Sequence, residues 1–211
     1  MIAKQSLAVA LSRLEGFPYP SVKLEQYPTE SELAAELLWQ AFMEGLVEGR
    51  KVVDLGAGTG VLAIGAALLG AEEVIAVEKD VEAIGALQRN LELYEGCGQV
   101  RVVQGDVTDP AKLTGRYDLV IMNPPFGTKQ RHADKAFLEA AIRLSDTICT
   151  IHKSTTRRFI EAYCAENGFR IAWHADRAFR LRRTMPHHTK ERERVEVTLF
   201  LLRRTAESET Q

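Results

Sequence analysis

The stretch KVVDLGAGTGVLAIGAALL, residues 51–69, decides the fold of this chain. A β-rich run, KVVDL (51–55), leads into glycines at positions 56, 58 and 60, and a run of small and apolar residues typical of a buried helix follows. A glycine-rich turn between a strand and a helix is the first unit of an open, doubly wound α/β sheet, whose ligands lie beyond the carboxyl ends of the strands. The stretch therefore predicts a ligand-binding loop at residues 56–60.

Six more β-rich runs follow, and helical patterns separate most of them. The runs are EVIAVE (73–78), VRVVQ (100–104), YDLVIMN (117–123), TICTIH (147–152), FRIAWHA (169–175) and RVEVTLFLL (194–202). Strands that alternate with helices form βαβ units, so we predict an α/β fold with a seven-stranded, mostly parallel sheet and helices on both faces. Only a basic, proline-containing segment separates the last two runs, which predicts a long hairpin whose final strand is antiparallel.

Two helices are predicted ahead of the sheet, at 3–14 and 30–43. Thr29 and Glu32 have the S/T-x-x-E spacing of a capping box at the start of the second helix. The segment between the helices, GFPYPSVKLEQYP (16–28), contains three prolines and is expected to be extended. We predict an N-terminal helical extension and cofactor lid at 1–45, a Rossmann-like domain at 46–204 and a disordered tail at 205–211.

The composition excludes several classes of protein. A chain of 211 residues with 45% hydrophobic residues, 27% charged residues and a net charge of −2 suits a globular domain and not a uniformly basic nucleic-acid-binding protein. The three cysteines form no C-x-x-C pair, which argues against a secreted disulfide scaffold and a cysteine zinc site, and we predict no metal. The longest apolar run, 61–71, is too short to cross a bilayer and no signal-peptide cleavage pattern is present, so we expect a cytoplasmic protein.

The glycine spacing and the nearby carboxylates narrow the choice of ligand. Val61 stands where the third glycine of a G-x-G-x-x-G dinucleotide loop would be, and there is no P-loop pattern. Asp54, Glu78 and Asp106 lie at the ends of three successive runs. Carboxylates repel a pyrophosphate but suit a cationic nucleoside, so the predicted cofactor is S-adenosylmethionine (SAM). We expect Glu78 to accept from the ribose hydroxyls and Asp106 to lie near the adenine amine, while Asp54 either organises the loop or meets the amino-acid part of the ligand.

The strongest chemical signal is Asn123-Pro124-Pro125-Phe126 at the end of the fourth run. The exocyclic amine of adenine is a poor nucleophile because its lone pair is delocalised into the ring. The amide oxygen of Asn123 and the carbonyl of Pro124 can each accept one N–H, which favours a tetrahedral nitrogen, and the prolines hold that carbonyl in place. Phe126 can stack on an extruded base. The tetrapeptide thus predicts catalysis by positioning without a strong general base; its other interpretation is a rigid turn with an asparagine cap.

Four segments together resemble the methyltransferase-like-five family. They are LEQYPT (24–29), DLGAGTGVLAIG (54–65), VIMNPPFGTK (120–129) and IHKST (151–155). Members of that family methylate the N6 atom of adenine in small-subunit ribosomal RNA, and the resemblance runs from about 24 to 202. It implies a Rossmann-like class I SAM-dependent methyltransferase with its catalytic motif at 123–126. Position 78 is Glu where animal members have Asp, and the 179–193 segment does not match well.

The resemblance also implies cofactor contacts and a partner. The family's SAM contacts fall on Gln26, Thr29, Gly56, Thr59, Val61, Glu78, Asp106 and Val107. Tyr27, Asp54, Gly58, Gly60 and Asn123 complete the expected cofactor-binding set. Gln26 and Thr29 are expected to fold over the cofactor as a lid. Eukaryotic members associate with a small zinc-containing activator protein, which we expect to add a strand at the edge formed by VRVVQ (100–104).

Positive charge is concentrated in loops that this architecture places around the catalytic tetrapeptide. The residues expected to bind the RNA backbone are Lys129, Arg131, Lys153, Arg157, Arg180, Arg182, Arg183 and Lys190. Such a basic rim is the electrostatic footprint of a protein that contacts phosphates, although a solvated arginine face has the same composition.

Two other functions remain open on the sequence. A glutamine N5 methyltransferase of a protein factor would use the same chemistry, because a side-chain amide nitrogen resembles an exocyclic amine. A methyltransferase-fold protein that binds RNA without catalysis would keep the basic rim and would not need Asn123. The basic rim and Phe126 favour RNA over a protein glutamine as the substrate, and the intact Asn123 with the acidic strand ends argues against a protein that has lost catalysis.

Overall fold

A computed structural model describes residues 2–21, 26–27, 29–109, 113–126, 133–181 and 193–205, without side-chain detail at 133, 179–181 and 193–194. The helices are α1 (Lys4–Leu11), α2 (Ser31–Met43), α3 (Val61–Leu68), α4 (Val81–Glu92), α5 (Ala133–Leu144) and α6 (Arg157–Glu166), and a single 3₁₀ turn spans Ser154–Thr156. The strands are β1 (Lys51–Leu55), β2 (Glu73–Glu78), β3 (Val100–Gln104), β4 (Leu119–Met122), β5 (Thr147–Lys153), β6 (Phe169–Leu181) and β7 (Glu193–Arg204).

The predicted seven-stranded sheet is confirmed. Its order is β3-β2-β1-β4-β5-β7-β6, with β1 to β5 parallel and β7 antiparallel to both β5 and β6. The last two strands form the expected long hairpin, and β3 lies at one edge of the sheet. Because β1 and β4 are central and parallel, both of their faces are covered, which explains why KVVDL and LVIM are almost continuously buried.

Helices cover both faces of the sheet, as predicted. One core joins Val52, Leu119 and other residues of one face to α1, α2 and α3. The second core joins the opposite face, including Val53 and Met122, to α5 and α6. Alternate residues of β1 therefore enter different cores, as the period-two geometry of a strand requires.

The N-terminal helices share the first core with the sheet, and they are shorter than predicted. Leu7 and Leu11 of α1 and Leu37 and Leu38 of α2 are buried there. The predicted capping box is wrong, since the N-cap of α2 is Glu30, which makes no side-chain cap bond, and not Thr29. The proposed domain boundaries at 45 and 204 stay a prediction.

No helix within the described residues is long and apolar enough to span a membrane. Cys97, Cys149 and Cys164 are buried free thiols.

The contact between α2 and α3 gives a test of the packing. A Cβ atom on Gly65 would overlap the Leu38 Cδ1 methyl, which belongs to a fully buried side chain. We expect Gly65→Ala to lower the free energy of unfolding by about 1–3 kcal/mol through overpacking. Gly85→Ala is the matched control, because its nearest neighbour is 3.7 Å from the added Cβ; it should stabilise α4 by about 0.5–1 kcal/mol. Equal stability of the two variants in urea titrations would contradict this packing.

Candidate active site

Strand register brings the predicted site residues together at the carboxyl ends of the parallel strands. Leu55 of β1 lies opposite Val77 of β2 and Met122 of β4. Glu78 and Asn123 come directly after these partners, so they flank the glycine loop that starts at Gly56. Asp106 follows β3 by two residues and lies at the same end of the sheet.

The glycine loop is held by the carboxylate of Glu78. Gly56, Gly58 and Gly60 have φ values of 71°, 55° and 90°, in the left-handed region that favours glycine. The Gly58 N–H donates to Glu78 Oε2 at 2.8 Å, while Oε1 accepts from the N–H groups of Lys79 and Asp80 at 2.9 Å. Glu78, which is expected to accept from the ribose hydroxyls, therefore also holds the loop and the start of α4 in place.

Asp54 lies inside β1 and points toward α3. Its side chain is fully buried, and Oδ2 accepts from the Ala63 N–H at 2.9 Å. Of the two roles considered for this residue, it carries out the first, since it ties the strand to the helix that follows the loop. Its other oxygen, Oδ1, is buried without a hydrogen-bond partner among the described residues. Burial raises the pKa of Asp54 to about 8; the Ala63 N–H opposes the shift and the charge of Glu78 adds to it.

Asp106 is preorganised by its own turn. Oδ1 accepts from the backbone N–H of Thr108 at 3.0 Å and from its hydroxyl at 2.8 Å, and these bonds lower the pKa of the carboxyl below its usual value. Lys79 Nζ lies 3.6 Å from Oδ2 and contributes to the lowering. This cation beside the acidic strand ends was not predicted. Val107 is buried in the second core.

The predicted lid segment is anchored at the start of α4. Gln26 is buried; its Nε2 donates to Asp80 Oδ2, and its Oε1 accepts from the Ser21 N–H at 2.8 Å. Asp80 also caps α4 by accepting from the Glu82 N–H at 3.0 Å. Tyr27 is half-buried. The segment thus lies next to Glu78 and the cofactor loop.

Asn123 contacts the same segment through one end of its amide. Nδ2 donates to Thr29 Oγ1 at 2.9 Å. Oδ1 is buried and has no hydrogen-bond partner within the described residues. The structure therefore leaves free the amide oxygen to which the sequence assigned the substrate amine.

Phe126 lies under the ammonium group of Lys153. The Lys153 Nζ is 5.5 Å from the centroid of the Phe126 ring, a cation–π geometry. Phe126 is half-buried and packs against the first core, while Pro124 is buried. Phe126, which is expected to stack on a base, and Lys153, which is expected to bind phosphate, are therefore neighbours.

Among the other expected RNA contacts, Arg157 is the one whose side chain the structure describes. Arg157 is paired internally: its guanidinium donates to Glu161 at 2.8 Å, to Asp176 at 3.3 Å and to His174 at 2.8 Å. These bonds weigh against Arg157 as a free phosphate ligand. Arg180 lies in β6, but its side chain is outside the described detail. Lys129, Arg131, Arg182, Arg183 and Lys190 lie outside the described residues.

Asn90 is a structural contributor that sequence reasoning missed. It is fully buried on α4, and its Nδ2 donates to the carbonyls of Thr59 at 2.9 Å and Glu15 at 3.0 Å. Its Oδ1 accepts from the Glu15 N–H at 2.7 Å. The residue thereby ties the chain after α1 to the glycine loop. The available signal was a polar residue on the apolar stripe of α4 with Ala83, Ala86 and Leu87.

A second missed contributor is Phe17, on the same N-terminal segment. A Cβ atom on Gly58 would lie 2.8 Å from the Phe17 ring, so this aromatic side chain packs directly against the loop. A glycine is needed at 58 both for its φ value and for this close approach.

The polar groups of the site fit SAM, the predicted cofactor. The carboxylates of Glu78 and Asp106 lie beside a loop with a backbone turn that allows close approach, and they favour a cation over a phosphate. Asp54 adds a buried oxygen, Oδ1, that lacks a partner within the described part of the chain.

Comparison with known proteins finds methyltransferases. Residues 29–147 match the methyltransferase small domain family. The chain is 35% identical to the rRNA N(6)-adenosine-methyltransferase Mettl5 of Drosophila melanogaster over 90% of its length and 91% of that protein. It is 37% identical to the rRNA N(6)-adenosine-methyltransferase metl-5 of Caenorhabditis elegans over 71% of this chain and 73% of that protein.

A solved structure is similar along nearly the whole chain. A proposed RNA methyltransferase from Pyrococcus horikoshii superposes with a TM-score of 0.89 and 44% identity, over 98% of this chain and all of that one. A release factor glutamine methyltransferase of Corynebacterium glutamicum matches at 48% identity, but over only 39% of this chain and 30% of that protein.

The buried carboxyl of Asp54 gives a prediction for stability against pH. Its pKa is about 8 in the folded chain and 3.8 when unperturbed, so between these values the folded state keeps a proton that the unfolded state has lost. Stability must then fall as the pH rises through this window. Burial lowers the pKa of His152 from 6.5 to about 3, which costs stability as the pH falls below 6.5. Among the described groups with a shifted pKa, Asp54 therefore dominates the pH dependence between pH 6.5 and 8.

In that interval we expect the free energy of unfolding to fall by at most roughly 1.4 kcal/mol for each pH unit. Asp54→Asn keeps an oxygen that can accept from Ala63 and removes the titration, so its urea-unfolding free energy should change much less with pH. Asp118→Asn, at the opposite end of the strands, is the control and should keep the wild-type slope. The same slope in the Asp54 variant would refute a protonated Asp54.

Proposed function

Because this chain belongs to the methyltransferase small domain family, and within it to the family of the methyltransferase-like-five rRNA N6-adenosine-methyltransferases, we propose that it methylates the N6 atom of an adenosine in structured RNA. The protein is a SAM-dependent methyltransferase. Small-subunit ribosomal RNA is the substrate that we propose. When bound, SAM supplies an electrophilic methyl group on a positively charged sulfur.

The observation that carries the proposal is the free amide oxygen of Asn123. A buried acceptor without a partner costs about 1–3 kcal/mol, so a ligand that donates to it binds favourably. The oxygen belongs to the catalytic tetrapeptide and lies beside a loop with an acidic rim, where an amine N–H of the substrate would satisfy it.

The chain's own residues then account for the chemistry. Asn123 Oδ1 and the Pro124 carbonyl each accept one N–H of the adenine amine, which draws its lone pair out of conjugation. The proline at 125 fixes the backbone that presents that carbonyl. Phe126 offers a ring face for the extruded base, and no strong general base is needed because the amine becomes acidic only as it is methylated.

Lys153 supports RNA as the substrate rather than a protein glutamine. Its ammonium lies over the Phe126 ring, at the point where an extruded base and its phosphate would enter. A purine can stack on an aromatic ring and bring a phosphate to a lysine, whereas a glutamine side chain can do neither. The match to the release factor glutamine methyltransferase is confined to 39% of the chain, so glutamine methylation is the second candidate.

We also propose two features of the assembled enzyme. Gln26 and Thr29 act as a lid over the cofactor, supported by the bonds from Gln26 to Asp80 and from Asn123 to Thr29. A small zinc-containing activator protein adds a strand to β3, supported by the position of β3 at the edge of the sheet.

The proposed activity is tested by incubating the protein, with and without the activator protein, with radiolabelled SAM and either small-subunit ribosomal RNA or a release factor. We expect label in N6-methyladenosine after digestion of the RNA and none in the protein substrate. Label in glutamine would support the second candidate, and SAM binding without any transfer would support a non-catalytic protein.

Removal of the free amide oxygen should abolish turnover. We expect Asn123→Ala to lower kcat by at least roughly 100-fold, since the loss of one transition-state hydrogen bond typically has that effect. The Kd for SAM, measured by calorimetry, should change by a much smaller factor than kcat, because the other expected cofactor contacts remain. A variant with wild-type kcat would exclude Asn123 from the mechanism.

Lys153 should contribute to RNA binding through its charge. Replacement by Met keeps the aliphatic stem and removes the charge, so we expect weaker binding at all sequences and a salt dependence reduced by about one phosphate contact. Fluorescence anisotropy at several salt concentrations measures this. Lys51→Met is the matched control, because Lys51 is exposed at the start of β1, at the opposite end of the sheet. Identical salt slopes in the two variants would contradict the role of Lys153.

A further inference from the structure

The two ends of the Asn123 amide have different surroundings. Nδ2 donates to Thr29 Oγ1 at 2.9 Å, and Oδ1 is buried without a partner among the described residues. Glu30 is the N-cap of α2 and makes no side-chain cap bond, and no bond joins the Thr29 hydroxyl to α2 among the described residues. The hydroxyl of Thr29 therefore serves Asn123 rather than the helix beside it.

The Asn123 amide can accept a hydrogen bond from the substrate amine in only one of its two orientations. Its oxygen accepts hydrogen bonds and its nitrogen donates them, and a half-turn about the last side-chain bond exchanges the two. If the nitrogen faced the substrate amine, two donors would meet and no bond would form. The reactive geometry therefore requires the orientation in which Oδ1 is free.

The contact with Thr29 favours that orientation. A hydroxyl can accept or donate, so Thr29 could also donate to Oδ1 of a reversed amide. The reversed amide would leave two N–H groups buried where Oδ1 now lies. Buried unpaired donors are rarer in proteins than acceptors with a free lone pair, so the reversed state is the less favourable one.

We propose that Thr29 is a positioning residue that holds the Asn123 amide with its oxygen toward the substrate amine. This inference rests on the proposed function, and it assigns to Thr29 a task beyond contact with the cofactor. It also links the 26–29 segment to the catalytic tetrapeptide, because docking of the segment and orientation of the amide depend on the same hydrogen bond.

The test compares kcat and KM for Thr29→Val, Thr29→Ser and the wild type. Valine has nearly the shape of threonine and cannot accept from Nδ2, so we expect kcat to fall roughly 10- to 100-fold, as for a misplaced reacting group. Serine retains the hydroxyl and should restore most of kcat. Loss of SAM contact alone would instead raise KM and the calorimetric Kd for SAM, and equal kcat for Val and Ser would overturn the inference. Thr205→Val is the control, since Thr205 bonds Gly168 at the opposite end of the sheet.

A double-mutant cycle separates orientation from packing. A carboxylate has two like oxygens, so an Asn123→Asp chain needs no residue to choose between them. We therefore expect Thr29→Val to lower kcat by a much smaller factor in the Asn123→Asp background than in the wild type. An equal cost in both backgrounds would show a packing effect and overturn the inference.

An NMR readout keeps the inference testable if the chain does not methylate adenine. The side-chain Nδ2 signals of ¹⁵N-labelled Asn123 should shift and exchange faster with solvent in Thr29→Val than in the wild type and Thr29→Ser. Unchanged signals would overturn the inference. Changed signals in a protein without adenine transfer would refute the proposed function while supporting the contact.

Discussion

Parallel pairing of β1 with both β2 and β4 is the constraint on which the site depends. Leu55 lies opposite Val77 and Met122, so the residues that follow these strands lie side by side at the carboxyl ends of the strands. The loop glycines, Glu78 and Asn123 are thereby neighbours although they are far apart in the chain. A slip of one residue in either pairing would turn their side chains to the opposite face of the sheet.

The acidic groups at these strand ends serve the protein as well as a ligand. Glu78 holds the Gly58 N–H, Asp54 holds the Ala63 N–H and Asp106 holds its own turn. These bonds fix the geometry of the site before any substrate arrives, which lowers the cost of ordering it on binding. Two side-chain oxygens of the site, on Asp54 and Asn123, are left unpaired in the described part of the chain. Buried polar atoms are normally paired, so these two mark where ligands are expected.

The N-terminal segment is a part of this site and not only a cover for the sheet. Asn90 ties Glu15 to Thr59 of the loop, Gln26 bonds Asp80, and Thr29 bonds Asn123. Phe126 and Lys153 form the side of the site toward β5, where we propose that the base and its phosphate bind. Cofactor loop, lid and catalytic tetrapeptide are thus connected through side chains whose roles are individually testable.

The positions of the strands along the chain, the final hairpin and the carboxylates at the strand ends were predictable from the sequence, because they follow from local periodicity and spacing. Tertiary structure decided the rest. The Thr29 pattern met the local rule for a capping box, yet its hydroxyl bonds Asn123, 94 positions away. Likewise, the ion pair between Arg157 and Asp176 joins α6 to β6, and the buried bonds of Asn90 join α4 to the glycine loop. A polar side chain takes the partner that folding brings within 3 Å or so, and sequence spacing reveals that partner only when it is local.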